Sequence, residues 1–362
     1  MAEVITVVAL IFGGLMPIID MGRPDRVWHL LAFGRIQSPL VWDVLCITTY
    51  LCGSTLFLYL PAIPDIALCR DRFAQSLQVS KFRKWIYRKL SLGWKGTTEQ
   101  WRLLEKSMNI MTLLIIPIAV SVHTVVSWIF ATTLRPGWNS TIFGPYFVVG
   151  AIMSGTSALI IATWGFRKAY HLEEYITPYH FKRLGQILLA FVMLYAYFNI
   201  NEYWVPAYKM ATPESRLLGD LFYGNYAPLY WTLQIGSVLI PMLILAFSFG
   251  RKLPWILVAS FLNLVGAWIK RYLIVIPTMQ HPFTPIQDVS ADWAQYFPTW
   301  VEWSIILGSL AGFIMVYIIF SRLVPIISIW EVAEGKKHQV GGNGDGKSHI
   351  IHEDEKLKVE VI

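Results

Sequence analysis

Residues 116–131 read IPIAVSVHTVVSWIFA, and they decide what kind of protein this is. Apart from Ser121, Thr124 and Ser127, the only polar side chain in the stretch is one imidazole, His123. The stretch lies inside a longer apolar run, 108–134. That is long enough to cross a bilayer, whose ~30 Å of hydrocarbon takes ~20 apolar residues. A titratable group at such depth costs a few kcal/mol unless it is paired or faces a cavity. Two readings follow: a functional group, or a neutral histidine that hydrogen-bonds a neighbouring helix and helps packing.

Seven more runs resemble it: roughly 2–19, 38–62, 144–166, 184–207, 227–249, 254–277 and 301–324. With 55% hydrophobic and 15% charged residues among 362, the chain reads as an all-α, polytopic membrane helix bundle of about eight transmembrane helices. The runs are continuous rather than alternating, which excludes a β-barrel. Sixteen Trp and 17 Tyr suit aromatic belts at two interfaces. The first run passes into a polar loop without a small-residue cleavage site, so no cleavable signal peptide is expected. The helix-bundle domain is expected over 1–331. The glycine-rich, mixed-charge segment 332–362 is expected to be a flexible tail.

Lysine and arginine set the orientation. Loops 63–106, 167–183, 250–253 and the segment 322–362 carry 22 of the 30, and the opposite loops carry six. The positive-inside rule then puts both termini in the cytoplasm, in what is expected to be a bacterial inner membrane. The net charge of +7 is therefore a topology signal, and no nucleic-acid partner is expected. Within the first basic loop, 81–89 (KFRKWIYRK) interleaves cations with aromatics. It reads either as a segment lying on anionic membrane lipid or as a plain solvated loop.

With orientation set, the intramembrane polar groups share a level. His123 and Asp43 fall in the outer halves of their helices, as do Glu202 with Tyr203 and the pair Lys270–Arg271. Asp20 ends the first helix on the same side. Scattered packing polars have no reason to share a depth, so one site near the outer face is the economical reading. The plainer alternative is a buried Glu202–Arg271 ion pair, with Asp43 answered by Arg35.

Carboxylates and a histidine among Trp128, Tyr203 and apolar walls suit a quinone head group, which accepts hydrogen bonds and exchanges protons during two-electron chemistry. Bis-His haem is excluded, because His123 is the only one of eight histidines inside a run. Cys46, Cys52 and Cys69 form no CxxC pair, so no iron–sulfur cluster, disulfide framework or other metal site is expected in this chain. Electrons must pass to or from a partner.

Several strings, in order, carry a family resemblance: Gly22-Arg23-Pro24; Ser38-Pro39-Leu40-Val41-Trp42-Asp43; Ser121-Val122-His123; Pro136-Gly137-Trp138; Phe143-Gly144-Pro145-Tyr146-Phe147; and Tyr296-Phe297-Pro298-Thr299-Trp300. Together they resemble the NrfD/polysulfide-reductase membrane-subunit family, closest to the quinol-oxidising membrane subunit of alternative complex III and related respiratory complexes. The resemblance implies a bundle of eight or ten helices with a quinone, such as menaquinone, held near the outer face. It implies no redox cofactor in this chain. The implied partners are a periplasmic ferredoxin-like iron–sulfur subunit, a multihaem cytochrome c and other membrane subunits. In the alternative complex III branch two helices precede the first run, so the chain is expected to lack N-terminal helices of that branch.

By resemblance, His123 and Asp43 match positions tied to quinol binding and proton transfer, and are the expected catalytic pair. Trp128, Glu202, Tyr203 and Arg271 complete the expected quinone-binding set. Asp20, Asp43, Glu202 and Lys270 make the expected proton path, coupled in some members to proton translocation. The chain departs from the pattern at Asp20, where a histidine is common, and at Lys270, where an acid is common. It also has Trp128-Ile129 where some members have an acid after the histidine. The rivals are the quinone-reducing direction, a secondary transporter and a structural anchor; no internal repeat supports the transporter.

Overall fold

A computed structural model describes residues 2–73, 80–281, 283, 296–323 and 330. Among the described residues the regular structure is entirely helical. The helices are α1 (Ala2–Asp20), α2 (Pro39–Phe73), α3 (Lys81–Leu90), α4 (Thr98–Ala131) and α5 (Phe143–Ala169). They continue with α6 (Pro178–Lys209), α7 (Thr212–Phe222), α8 (Ala227–Ala246), α9 (Leu253–Gln280) and α10 (Trp300–Leu323). Eight of these, all but α3 and α7, are long and apolar enough to cross a membrane. The chain is a multi-pass integral membrane protein. The expected flexible tail, 332–362, lies outside the described residues.

The helices outrun the apolar stretches. α2 continues to Phe73 and α4 begins at Thr98, both inside what the sequence reads as a basic loop. Hydrocarbon length limits the apolar run, whereas helix propensity and capping limit the helix. Thr97 and Gln100 form a reciprocal capping box, each accepting a 3.3 Å bond from the other's backbone N–H, so α4 starts ten residues before its apolar part.

The chain divides into two compact units, 1–61 with 97–323, and 62–96 with 324–362. In the larger unit α5 packs against α4, α6 and α9, while α8 packs against α6 and α9. Phe143, Ile160, Phe181, Leu188 and Ile256 are fully buried at the centre of this core. α1 pairs with α10 through Val4, Val8 and Tyr317. In the smaller unit the Arg70 guanidinium donates to Ser91 Oγ and Trp94 O, both at 3.0 Å. Arg83 lies over the rings of Phe73 and Tyr87. Asp65 is 2% exposed within α2 and accepts a 3.3 Å bond from the Trp330 N–H.

α8 is not a uniform α-helix. Thr232–Leu239 is wound as a π-helix, between α-helical turns at Ala227–Trp231 and Ile240–Ala246. It packs on α9 at Gly266, where a Cβ would come within 2.1 Å of Ser237 Cβ. Only glycine permits that approach.

Candidate functional site

α9 is the helix that assembles the site. Its buried positions include Ile256, Ala259, Asn263, Gly266, Lys270, Leu273 and Pro277, spaced at threes and fours along one stripe. Lys270 is therefore aimed into the bundle, where its side chain is 5% exposed. Its Nζ donates to Glu202 Oε2 at 2.6 Å and to the Tyr203 hydroxyl at 2.7 Å. The ammonium also lies over the Tyr203 and Tyr146 rings, at 4.6 and 5.2 Å from their centroids. An ion pair this far from water persists because every side of the cation is answered.

A line of amides runs from this pair. The Tyr146 hydroxyl donates to Asn199 Oδ1 at 3.0 Å, and Asn199 Nδ2 donates to Gln234 Oε1 at 2.5 Å. Gln234 belongs to the π-wound segment of α8. Tyr203 packs edge-on against Tyr230, itself close to Phe222, so the ion pair is walled by aromatic rings.

Glu202 and Tyr203 open onto a narrow cleft. Trp138, Phe143 and Leu273 form walls, and α7 supplies Leu217, Leu218 and Glu214. The Pro136-Gly137-Trp138 turn is held here by a 2.7 Å bond from Trp138 Nε1 to Ile274 O. Gly137 has a φ of +80°, a conformation that strains any residue with a Cβ, and it lies against Leu217 of α7. α7 is tied to the end of α9 by Asp220, 2.9 Å from His281 Nε2, and the following Tyr226 donates to Gln280 Oε1 at 2.5 Å. Glu214 Oε2 is buried without a hydrogen-bond partner among the described residues.

Of the residues expected from sequence, the structure brings Glu202, Tyr203 and Lys270 into one cluster. The partner of Glu202 is Lys270, not Arg271 as the simple ion-pair reading had it. Arg271 is exposed, turned a helical step away, and donates to Ala267 O at 3.0 Å. The Nδ1 of His123 is 2.8 Å from Ala119 O, one turn back on its own helix, leaving Nε2 available. Asp43 is not answered by Arg35: its Oδ1 is buried with no hydrogen-bond partner among the described residues. Among those residues no hydrogen bond or ion pair joins Asp43 or His123 to the Lys270 cluster. Trp128 is 47% exposed, and Asp20 is exposed at the end of α1.

Tyr146, Gln234, Tyr230 and Glu214 were not among the expected site residues. Tyr146 is three residues into α5 and Gln234 sits where the helix winding changes, so neither follows from a regular period. Asn263, seven residues before Lys270, was findable: two turns along one helix share a face.

Known proteins resemble this chain in sequence. Residues 1–282 match the family described as polysulphide reductase, NrfD. A selenate reductase subunit from Mesobacillus selenatarsenatis is 27% identical over 356 residues, covering 94% of this chain and 80% of that protein. A Halobacterium salinarum protein, provisionally named as a membrane subunit of dimethyl sulfoxide reductase, is 28% identical over 285 residues, covering 75% of this chain and 58% of its own length. The integral membrane subunit of menaquinone reductase from Nitratidesulfovibrio vulgaris is 22% identical over 335 residues, covering 86% of this chain and 70% of its own. With more than half its length matched, this chain belongs to the polysulphide reductase NrfD family.

Proposed function

We propose that this chain is the quinone-interacting membrane subunit of a respiratory oxidoreductase complex, and that the quinone ring enters the cleft at Glu202 and Tyr203. The observation that carries this reading is the Lys270–Glu202–Tyr203 cluster opening onto an aromatic and apolar cleft. A quinone site needs a flat apolar slot and a few convergent polar groups. Because the Tyr203 oxygen accepts from Lys270, its own O–H is free to donate to a ring oxygen. Glu202 takes the proton of a quinol, and Lys270 balances its carboxylate charge before the proton arrives and after it leaves.

The excess of cations on the opposite loops supports an outer, periplasmic location for this end of the bundle, and hence cytoplasmic termini. Quinol oxidised here releases two protons on that side, and this release is coupled to proton translocation. Its two electrons go to a periplasmic iron–sulfur partner, from which a multihaem cytochrome c can draw them. The relative named for menaquinone reductase supports a menaquinone-type substrate, and equally the reverse direction.

His123 and Asp43 form a second candidate centre for the same chemistry, favoured by the free Nε2 of the one and the unpartnered Oδ1 of the other. Quinol oxidation by the assembled complex separates the two centres. Glu202→Gln and Tyr203→Phe are expected to lower turnover at least tenfold. If both run at wild-type rate while His123→Ala and Asp43→Asn stall, the ring binds at α2 and α4 instead. Wild-type rates in all four would sink the quinone reading altogether.

A further inference from the structure

Among the described residues, the core of the bundle holds an amide that is unmet at both its oxygen and its nitrogen. Asn263 is 0% exposed, and neither its Oδ1 nor its Nδ2 has a hydrogen-bond partner among the described residues. Two buried hydroxyls, one on the same helix and one on a facing helix, are spent on their own backbones: Ser260 on Ile256 O at 2.8 Å, Ser157 on Met153 O at 2.9 Å. A primary amide brings two donors and an acceptor oxygen, and burying all of them unmet in a membrane core is among the costlier arrangements a chain can adopt. An apolar side chain of like volume would remove that cost. Its presence on the face that also carries Lys270 calls for a ligand that hydrogen-bonds in both senses.

The packing says where that ligand leads. Gly266 of α9 is level with Ser237 of α8, because their backbones nearly touch there. The two helices run in opposite directions. Gln234, three residues before Ser237, therefore stands one step toward the outer end, and Asn263, three residues before Gly266, one step toward the inner end. At ~1.5 Å per residue their levels differ by roughly 9 Å, a gap that two or three water molecules bridge. Gln234 is already joined through Asn199 to Tyr146, whose ring faces the Lys270 ammonium.

We propose that Asn263 anchors an internal water site that extends the polar line inward from the Glu202–Lys270 pair past Gln234 to the middle of the bundle. The ligand is water, and what it provides is a proton route. A proton held at Glu202 has two exits: the open cleft on the outer side and this hydrated line toward the centre. The π-winding at Thr232–Leu239 is the device that turns Gln234 into the line, since a wider turn changes which side chains face α9. The water site stands on Asn263 alone; its use as a proton route rests on the quinol reading given above.

The test uses the whole complex. A cryo-EM map sharp enough to show water is expected to contain density within ~3 Å of both amide atoms of Asn263. In Asn263→Leu that density is lost, and in liposomes the protons released outside per quinol rise or fall from the wild-type count while the electron-transfer rate stays within about twofold. Asn263→Ser keeps a hydroxyl and leaves room, so it keeps both the density and the wild-type count, and it guards against reading a misfolded leucine variant. An amide bonded directly to protein groups overturns the site. An unchanged proton count in a leucine variant that has lost the water overturns the route. Absence of quinol turnover in the wild-type complex breaks the quinol reading, and with it the route, but leaves the density measurement to decide the water site.

Discussion

α9 and α10 are spans of similar length with opposite surroundings. In the most apolar stretch of α9, 44% of residues are buried, against 6% in α10. The same contrast separates α5, α6 and α8, at 22–33%, from α1, α2 and α4, at 6–11%. The less covered helices α1, α4 and α10 are nevertheless more hydrophobic than α6 and α9. In water the most apolar helix goes inside. In a bilayer the lipid is as apolar as leucine, so a lipid-facing helix must be apolar all round, and a buried one is free to carry polar groups. Asn199, Glu202, Asn263 and Lys270 are all on covered helices.

The contrast is broken most severely at the ion pair. Lys270→Met leaves Glu202 charged and alone in the core, with an expected loss of about 3–5 kcal/mol, seen as early thermal unfolding of the purified complex. Adding Glu202→Gln to it is expected to recover most of that loss. If the double variant is no more stable than the single one, the two groups are not an isolated pair.

Glycine substitutions come next. Gly266→Ala puts a methyl group into the Ser237 contact and is expected to cost about 1–3 kcal/mol. Gly308→Ala on α10 meets nothing within 4 Å and is expected to be neutral or slightly stabilising. Equal effects in a chemical-denaturation series would mean that the two helices are covered alike in the assembled protein.

Smaller still is Trp138→Phe, which keeps the ring and loses the bond to Ile274 O. It is expected to cost about 0.5–1.5 kcal/mol, and to loosen α7 as read by faster amide exchange there. The least effect is expected at Leu113, which is 75% exposed on α4. Leu113→Ala should stay within about 0.5 kcal/mol in the isolated chain. A larger loss in the complex than in the isolated chain would mark α4 as a partner contact rather than a lipid-facing surface.

Most of the fold was legible in the amino-acid sequence, because hydrocarbon imposes a length on every span and eight runs meet it. What lay beyond the hydrocarbon was not. The polar start of α4 at Thr98 and all of α7 carry no long apolar run, and their helicity comes from capping and from burying Leu217, Leu218 and Leu221. The site was half legible. Glu202 and Lys270 stood out as charges in apolar helices, but Lys270 and Arg271 are neighbours, and which one faces inward depends on the phase of α9. That phase is carried by Gly266 and the seven-residue spacing from Asn263. Gln234 was hidden, because a regular helical period through α8 does not predict its direction.

The π-wound segment also bears on how this chain compares with its kin. A π turn is, in effect, one residue more than an α-helix of the same rise needs. Taking one residue out between Thr232 and Leu239 would restore ordinary winding and change the facing of side chains within the segment, while the turns on either side keep theirs. A relative one residue shorter at this point would keep the same span and the same hydrophobic length, yet present a different side chain where Gln234 now stands. One-residue gaps in this helix are thus changes of gear, and would sort the family by wiring rather than by fold.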